Sequence, residues 1–83
     1  MDRGEALEAY VDMHREKIEK QVHHEVTRMK RSQEQDSWLY FADGCRVLIS
    51  WDQYDDEQPP YFQVFAYPPD GDLDWAVRLN DYR

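Results

Sequence analysis

Leu7, Val11, Ile18, Val22, Val26 and Met29 recur at spacings of three, four or seven, in a stretch with no proline and no glycine after Gly4. At 100° per residue these positions fall in one stripe roughly 100° wide, which predicts a long amphipathic helix over residues 4–31 with one buried face. Asp2, Glu5 and Glu8 near its start and Arg28, Lys30 and Arg31 near its end suit the helix dipole. Glu16 and Lys20 form an i,i+4 pair in the favourable order.

Beyond the polar segment 32–37 the period changes from 3.6 to 2. Trp38 to Ala42, then Asp43-Gly44, then Cys45 to Trp51 reads as a hairpin, because Asp-Gly supplies the two positive-φ positions of a type I′ turn. That two-residue turn would place Trp38, Tyr40, Ala42, Cys45, Val47, Ile49 and Trp51 on one face. Leu39, Phe41, Arg46, Leu48 and Ser50 would take the other. An acidic loop, Asp52 to Glu57 with Pro59-Pro60 after it, leads to a third strand at Tyr61–Tyr67. A turn at Pro68 to Asp72 leads to a fourth, from Leu73 or Asp74 to Leu79. The expected architecture is α+β: a single domain, 1–83, with one long N-terminal helix on a four-stranded antiparallel meander spanning 37–79 (αββββ).

Two mismatches follow from this reading. A sheet covered by one helix should be apolar on one side only, yet Leu39, Phe41, Phe65 and Tyr67 are left for the second side. The helix, roughly 40 Å long at 1.5 Å per residue, should also overhang a sheet about 20 Å across and leave its stripe wet at Leu7 and Met29. Both mismatches point to a further partner, a second copy or another protein.

Charge sharpens the picture. The chain has 18 acids against 10 Lys and Arg, a net charge of -8. Residues 1–33 balance at seven of each, so the whole excess lies in residues 34–83, where Arg46, Arg78 and Arg83 face eleven acids. Asp52, Asp55, Asp56 and Glu57 in one loop and Asp70, Asp72 and Asp74 in another form two acidic poles at opposite ends of a meander. Such a surface suits a basic protein partner and repels a phosphate backbone, which excludes direct nucleic-acid binding. A single cysteine, Cys45, rules out an internal disulfide, and the charged start lacks a secretory signal, so the expected compartment is the cytoplasm. The longest apolar runs fall far short of the roughly 20 residues of a membrane span.

Catalytic and metal patterns are incomplete. His14, His23 and His24 project in three directions from a helix, and the HEVTR run carries Arg28 where a zinc helix needs its second histidine. Asp70, Asp72 and Asp74 imitate the first half of a calcium loop, with Asp81 at its twelfth place, but Trp75 stands where that loop requires glycine. Cys45 opens a strand on the core-like face, where a thiol is inert. No catalytic residue, metal site or cofactor is expected, and an enzyme is disfavoured; a metal-assisted one would use the Asp70 turn.

The function expected is therefore a small acidic protein–protein interaction module, an inhibitor that occupies a basic, nucleic-acid-binding surface of a target protein. Its contacts would be Asp52, Asp55, Asp56, Glu57, Asp70, Asp72 and Asp74 with Leu39, Phe41, Phe65 and Tyr67. In size and charge, though in no motif, the chain is similar to the acidic inhibitors of phages and mobile elements, including anti-CRISPR and anti-restriction proteins, which would imply the host cytoplasm. The alternative is a homodimeric structural or adaptor protein whose acidic turns serve only solubility.

Overall fold

A computed structural model describes residues 3–41, 44–53, 55–68 and 76–82, with Arg3 and Gly4 described by backbone alone. Two helices, α1 (Arg3–Met13) and α2 (Arg15–Ser32), precede four strands, β1 (Asp36–Tyr40), β2 (Arg46–Asp52), β3 (Tyr61–Tyr67) and β4 (Val77–Arg78). The strands form one antiparallel sheet in the order β1-β2-β3-β4. The class is α+β, with a meander behind the helical segment.

The expected single helix is broken at His14. Its backbone leaves the helical region at φ -109° and ψ 15°. The helical ladder nonetheless continues through the break: the His14 N–H donates to the Tyr10 carbonyl at 3.1 Å, and the Ile18 N–H to the His14 carbonyl at 2.9 Å. The apolar stripe explains the position. Between Val11 and Ile18 the places three and four residues on are the polar His14 and Arg15, so no buried side chain holds that turn to the core. Arg15 instead donates to Asp12 Oδ1 at 2.8 Å, on the outside of the break.

The stripe itself is buried from end to end. Leu7 is 3 % exposed and Met29 0 %. The expected wet overhang is therefore absent, although the molecule is 43 Å long and only 22 × 20 Å in section. α1 packs beside β4, and Val77, Leu79 and Tyr82 close over the core. The sheet contributes Val47 and Ile49 from β2 and Phe62, Val64 and Ala66 from β3. Ile18, Met29, Ile49 and Phe62 are among the largest fully buried side chains; burying each such side chain stabilises by about 1.5–3 kcal/mol. Among the described residues no helix is long and apolar enough to cross a membrane.

α2 ends at Gln33, whose left-handed φ of 59° turns the chain toward β1. Arg28 secures that turn. Its guanidinium donates to both Glu34 carboxylate oxygens, at 3.1 and 2.6 Å, and also to Glu25. These hydrogen bonds raise the Arg28 pKa and lower that of Glu34.

The hairpin differs from expectation by one residue, with a large consequence. Phe41 pairs with Cys45, not Ala42 with Cys45: the Phe41 N–H donates to the Cys45 carbonyl at 3.0 Å, and the Gly44 N–H to the Phe41 carbonyl at 3.0 Å. The loop therefore has three residues and ends at Gly44, whose φ of 94° is the glycine position of a bulged three-residue loop. Since side chains alternate, this slip turns β1 over relative to β2. Leu39 now faces Val47 and the helix, while Trp38 faces Leu48 on the other side. The assignment of Leu39 and Phe41 to the second face is thus corrected, because both pack against the core cluster.

Candidate interaction surface

The face turned away from the helices is organised in cross-strand rows fixed by the register. Tyr40, Arg46 and Tyr67 form the first and Trp38, Leu48, Phe65 and Arg78 the second. Asp36, Ser50 and Gln63 form the third, and Asp52 with Tyr61 the last. This face therefore runs from an arginine-bearing aromatic end to a carboxylate-bearing end.

At the aromatic end the rings of Trp38 and Tyr67 lie 5.4 Å apart, tilted by 47°. The Arg46 guanidinium sits 5.7 Å from the Trp38 ring, within cation–π range. Arg46 Nη2 is buried and has no hydrogen-bond partner among the described residues. Leaving a buried donor unmet costs about 1–3 kcal/mol, more for a charged group. Around it Tyr40 is 71 % exposed and Trp38 36 %, and Leu48, Phe65 and Tyr67 are half-buried.

At the carboxylate end Asp52 is a local organiser. Its Oδ2 accepts from the Tyr61 hydroxyl at 3.0 Å and from Gln63 Nε2 at 3.3 Å, while Oδ1 accepts from the Gln53 N–H at 2.8 Å. The bond to Asp52, with burial, raises the Tyr61 pKa. Asp55 has a similar role in the loop: its Oδ1 accepts from the Glu57 and Gln58 N–H groups, both at 2.9 Å, an aspartate turn. Asp56 and Glu57 are exposed, with no such role for their carboxylates among the described contacts.

Of the expected contact residues, the structure gathers Asp52, Asp55, Asp56 and Glu57 at one end of the sheet and sets Phe65 and Tyr67 on its open face. Leu39 and Phe41 lie on the opposite face, and Asp70, Asp72 and Asp74 lie outside the described residues. Sequence reasoning missed Trp38 and Tyr40 as members of the open face, and it placed Arg46 there without counting it among the contacts. A signal existed: Trp and Tyr tolerate a wet edge better than Leu and Phe, so the pair to bury was Leu39 and Phe41. The histidines are dispersed, His14 against Tyr10 with ring centroids 4.5 Å apart and His24 in a groove beside Leu39. Cys45 is buried, its Sγ 3.4 Å from the Tyr67 carbonyl oxygen.

No protein-family model, curated protein or solved structure matches this chain.

Proposed function

We propose that this chain is a small protein-interaction module of the inhibitor type, which lays its open sheet face on a target protein. The β2–β3 loop then meets a basic part of that target's surface. The observation that carries the reading is the open face itself: Tyr40 and Trp38 remain exposed, with the Arg46 guanidinium 5.7 Å from the Trp38 ring. Aromatic side chains and arginine are the groups that most often dominate binding energy at protein interfaces. The acids of the loop would steer association with a basic groove and stand in for phosphates there. Direct contact with nucleic acid has no place in this reading. A buried single cysteine suits a reducing compartment, and we place the module in the cytoplasm.

The test is affinity capture from the native host with wild type and with Tyr40→Ser, Tyr67→Ser, followed by reconstitution with the purified target. A basic protein should be held by the wild type, with salt-sensitive association, and lost by the double variant. Equal retention by both removes the open face from the function.

One observation favours a second copy on the same face instead. Two faces stacked about a two-fold axis across the strands would set Arg46 of each copy near Asp36 and Asp52 of the other, an isologous match of charge. Sedimentation equilibrium of the protein alone separates the readings: a mass near 20 kDa (twice 10.1 kDa) that returns to one chain in Arg46→Asp supports the homodimer.

A further inference from the structure

α2 carries its charge asymmetrically. Residues 15–32 hold six bases and three acids, so the positive charge of the helical segment lies beyond the His14 break. Of the bases, Arg28 is tied to Glu25 and Glu34, and Arg15 to Asp12 and Glu19. Lys17 and Lys20 have no carboxylate partner among the described residues. Both line an open groove of about 560 Å³ with Gln21, His24, Glu25 and Leu39. Lys17 Nζ also lies 5.9 Å from the Phe41 ring centroid. Leu39 and Phe41 belong to the β1 hairpin arm, so the groove runs between α2 and β1.

β1 is an edge strand. The Phe41 N–H donates to the Cys45 carbonyl and the Trp51 N–H to the Gln35 carbonyl. In an antiparallel ladder the bonded positions alternate, so residues 35, 37, 39 and 41 bond to β2, and the backbone N–H and C=O of Asp36, Trp38 and Tyr40 face away from it. Among the described residues no strand pairs on that side. An edge with free donors and acceptors, flanked by a cationic groove, is built to accept another strand.

We infer that the β1 edge takes an extended peptide whose acidic side chains alternate with apolar ones. An added strand would send alternate side chains to the two faces of the sheet. On the helix side they meet Lys17, Lys20 and His24, which call for carboxylates. On the open side they lie beside Trp38 and Tyr40, which call for apolar groups. A second copy fits the edge poorly: β1 paired with β1 about a two-fold axis places both helices on the same side of the joined sheet, with their Lys17 and Lys20 flanks facing each other.

The probe is a synthetic peptide of alternating valine and glutamate, titrated into the isotope-labelled full chain and followed by amide shifts, with a valine–lysine peptide as its counterpart. Shifts should concentrate at Asp36, Trp38, Tyr40, Lys17 and Lys20. Tyr40→Pro deletes an outward-pointing N–H without touching the β1–β2 ladder, and should weaken binding about tenfold relative to Tyr40→Ala, which keeps it. Lys17→Glu with Lys20→Glu, both at exposed positions, should weaken it at least as much, and decides the matter should the proline variant not fold. The inference is overturned if the lysine peptide binds equally well, if Tyr40→Pro binds like Tyr40→Ala, if the double variant binds like wild type, or if no shifts appear at millimolar peptide. Dimerisation through β1 in the free protein would overturn it too. Retention of the basic target by Lys17→Glu, Lys20→Glu keeps this site distinct from the open-face reading.

Discussion

The two faces of the sheet are made from the same strands, yet they differ in kind. On the helix side Val47, Ile49, Phe62, Val64 and Ala66 are completely buried, and the helices bring aliphatic side chains to meet them. On the open side the neighbours of those residues are Arg46, Leu48, Ser50, Tyr61, Gln63, Phe65 and Tyr67, all half-buried. Among the described residues the covered face holds no buried polar or charged one. Its contribution is apolar area removed from water, and it has no unmet valence to offer a partner. The open face retains rings with wet edges and a guanidinium nitrogen that has no acceptor among the described residues. In a chain this small, able to hide only about 60–65 % of its unfolded surface, one packed face has to supply the stability while the other is left for contact.

The strongest way to break that comparison is to place a charge on each face in turn. Ile18→Asp puts an unpaired carboxylate at a site 1 % exposed; it should cost about 3–5 kcal/mol, enough to unfold a marginal domain. Tyr40→Asp, at 71 % exposure, should change stability by no more than about 0.5 kcal/mol. Urea denaturation of both variants measures the contrast. Similar losses from the two would mean that the open face is covered and the division of labour is wrong.

How far this contrast could be read from sequence depends on how local each determinant is. The six-residue helical stripe and the limits of β3 follow from periodicity within one segment, and the structure has both as expected. The register of β1 against β2 depends on whether Asp43-Gly44 closes a two-residue or a three-residue loop, and glycine serves the positive-φ place in either. That single ambiguity exchanged Leu39 and Phe41 for Trp38 and Tyr40 on the candidate site. The break at His14 falls in the seven-residue gap of the stripe between Val11 and Ile18, a gap that the helical period spans in phase, so one helix was read across it. Counting charge over residues 1–33 concealed the excess of bases beyond His14, which appears only when the helix is divided there.

A smaller effect sharpens the comparison within the acidic loop. Asp55 accepts from two backbone N–H groups, whereas Asp56 and Glu57 are exposed and have no such bonds through their carboxylates among the described contacts. Asp55→Ala should therefore cost about 1 kcal/mol, the net value of such bonds after exchange with water. Asp56→Lys with Glu57→Lys should leave thermal unfolding nearly unchanged while slowing association with a basic target and flattening its salt dependence. The reverse pattern would assign the fold to charge and the binding to the turn.

The smallest effect compares two tyrosines, one on each side of the sheet. Tyr61 lies on the open face and is held protonated first by its hydrogen bond to Asp52 and then by burial. Tyr82 packs against the core and is held protonated mainly by burial, with Glu19 adding to this and Arg15 opposing it. Both have folded pKa values above the unfolded value of about 10. The stability they contribute is therefore fully present below that pH and is lost as pH rises through the folded values, because the unfolded chain releases these protons first. Unfolding midpoints should fall on the alkaline side of about pH 10, in step with phenolate absorbance. Asp52→Asn removes the charge that holds the Tyr61 proton and leaves the surroundings of Tyr82 intact, so one phenolate transition should move to lower pH while the other stays. If both move together, the two tyrosines share one environment, and the separation of a carboxylate-bearing open face from an apolar covered face does not extend to this end of the sheet.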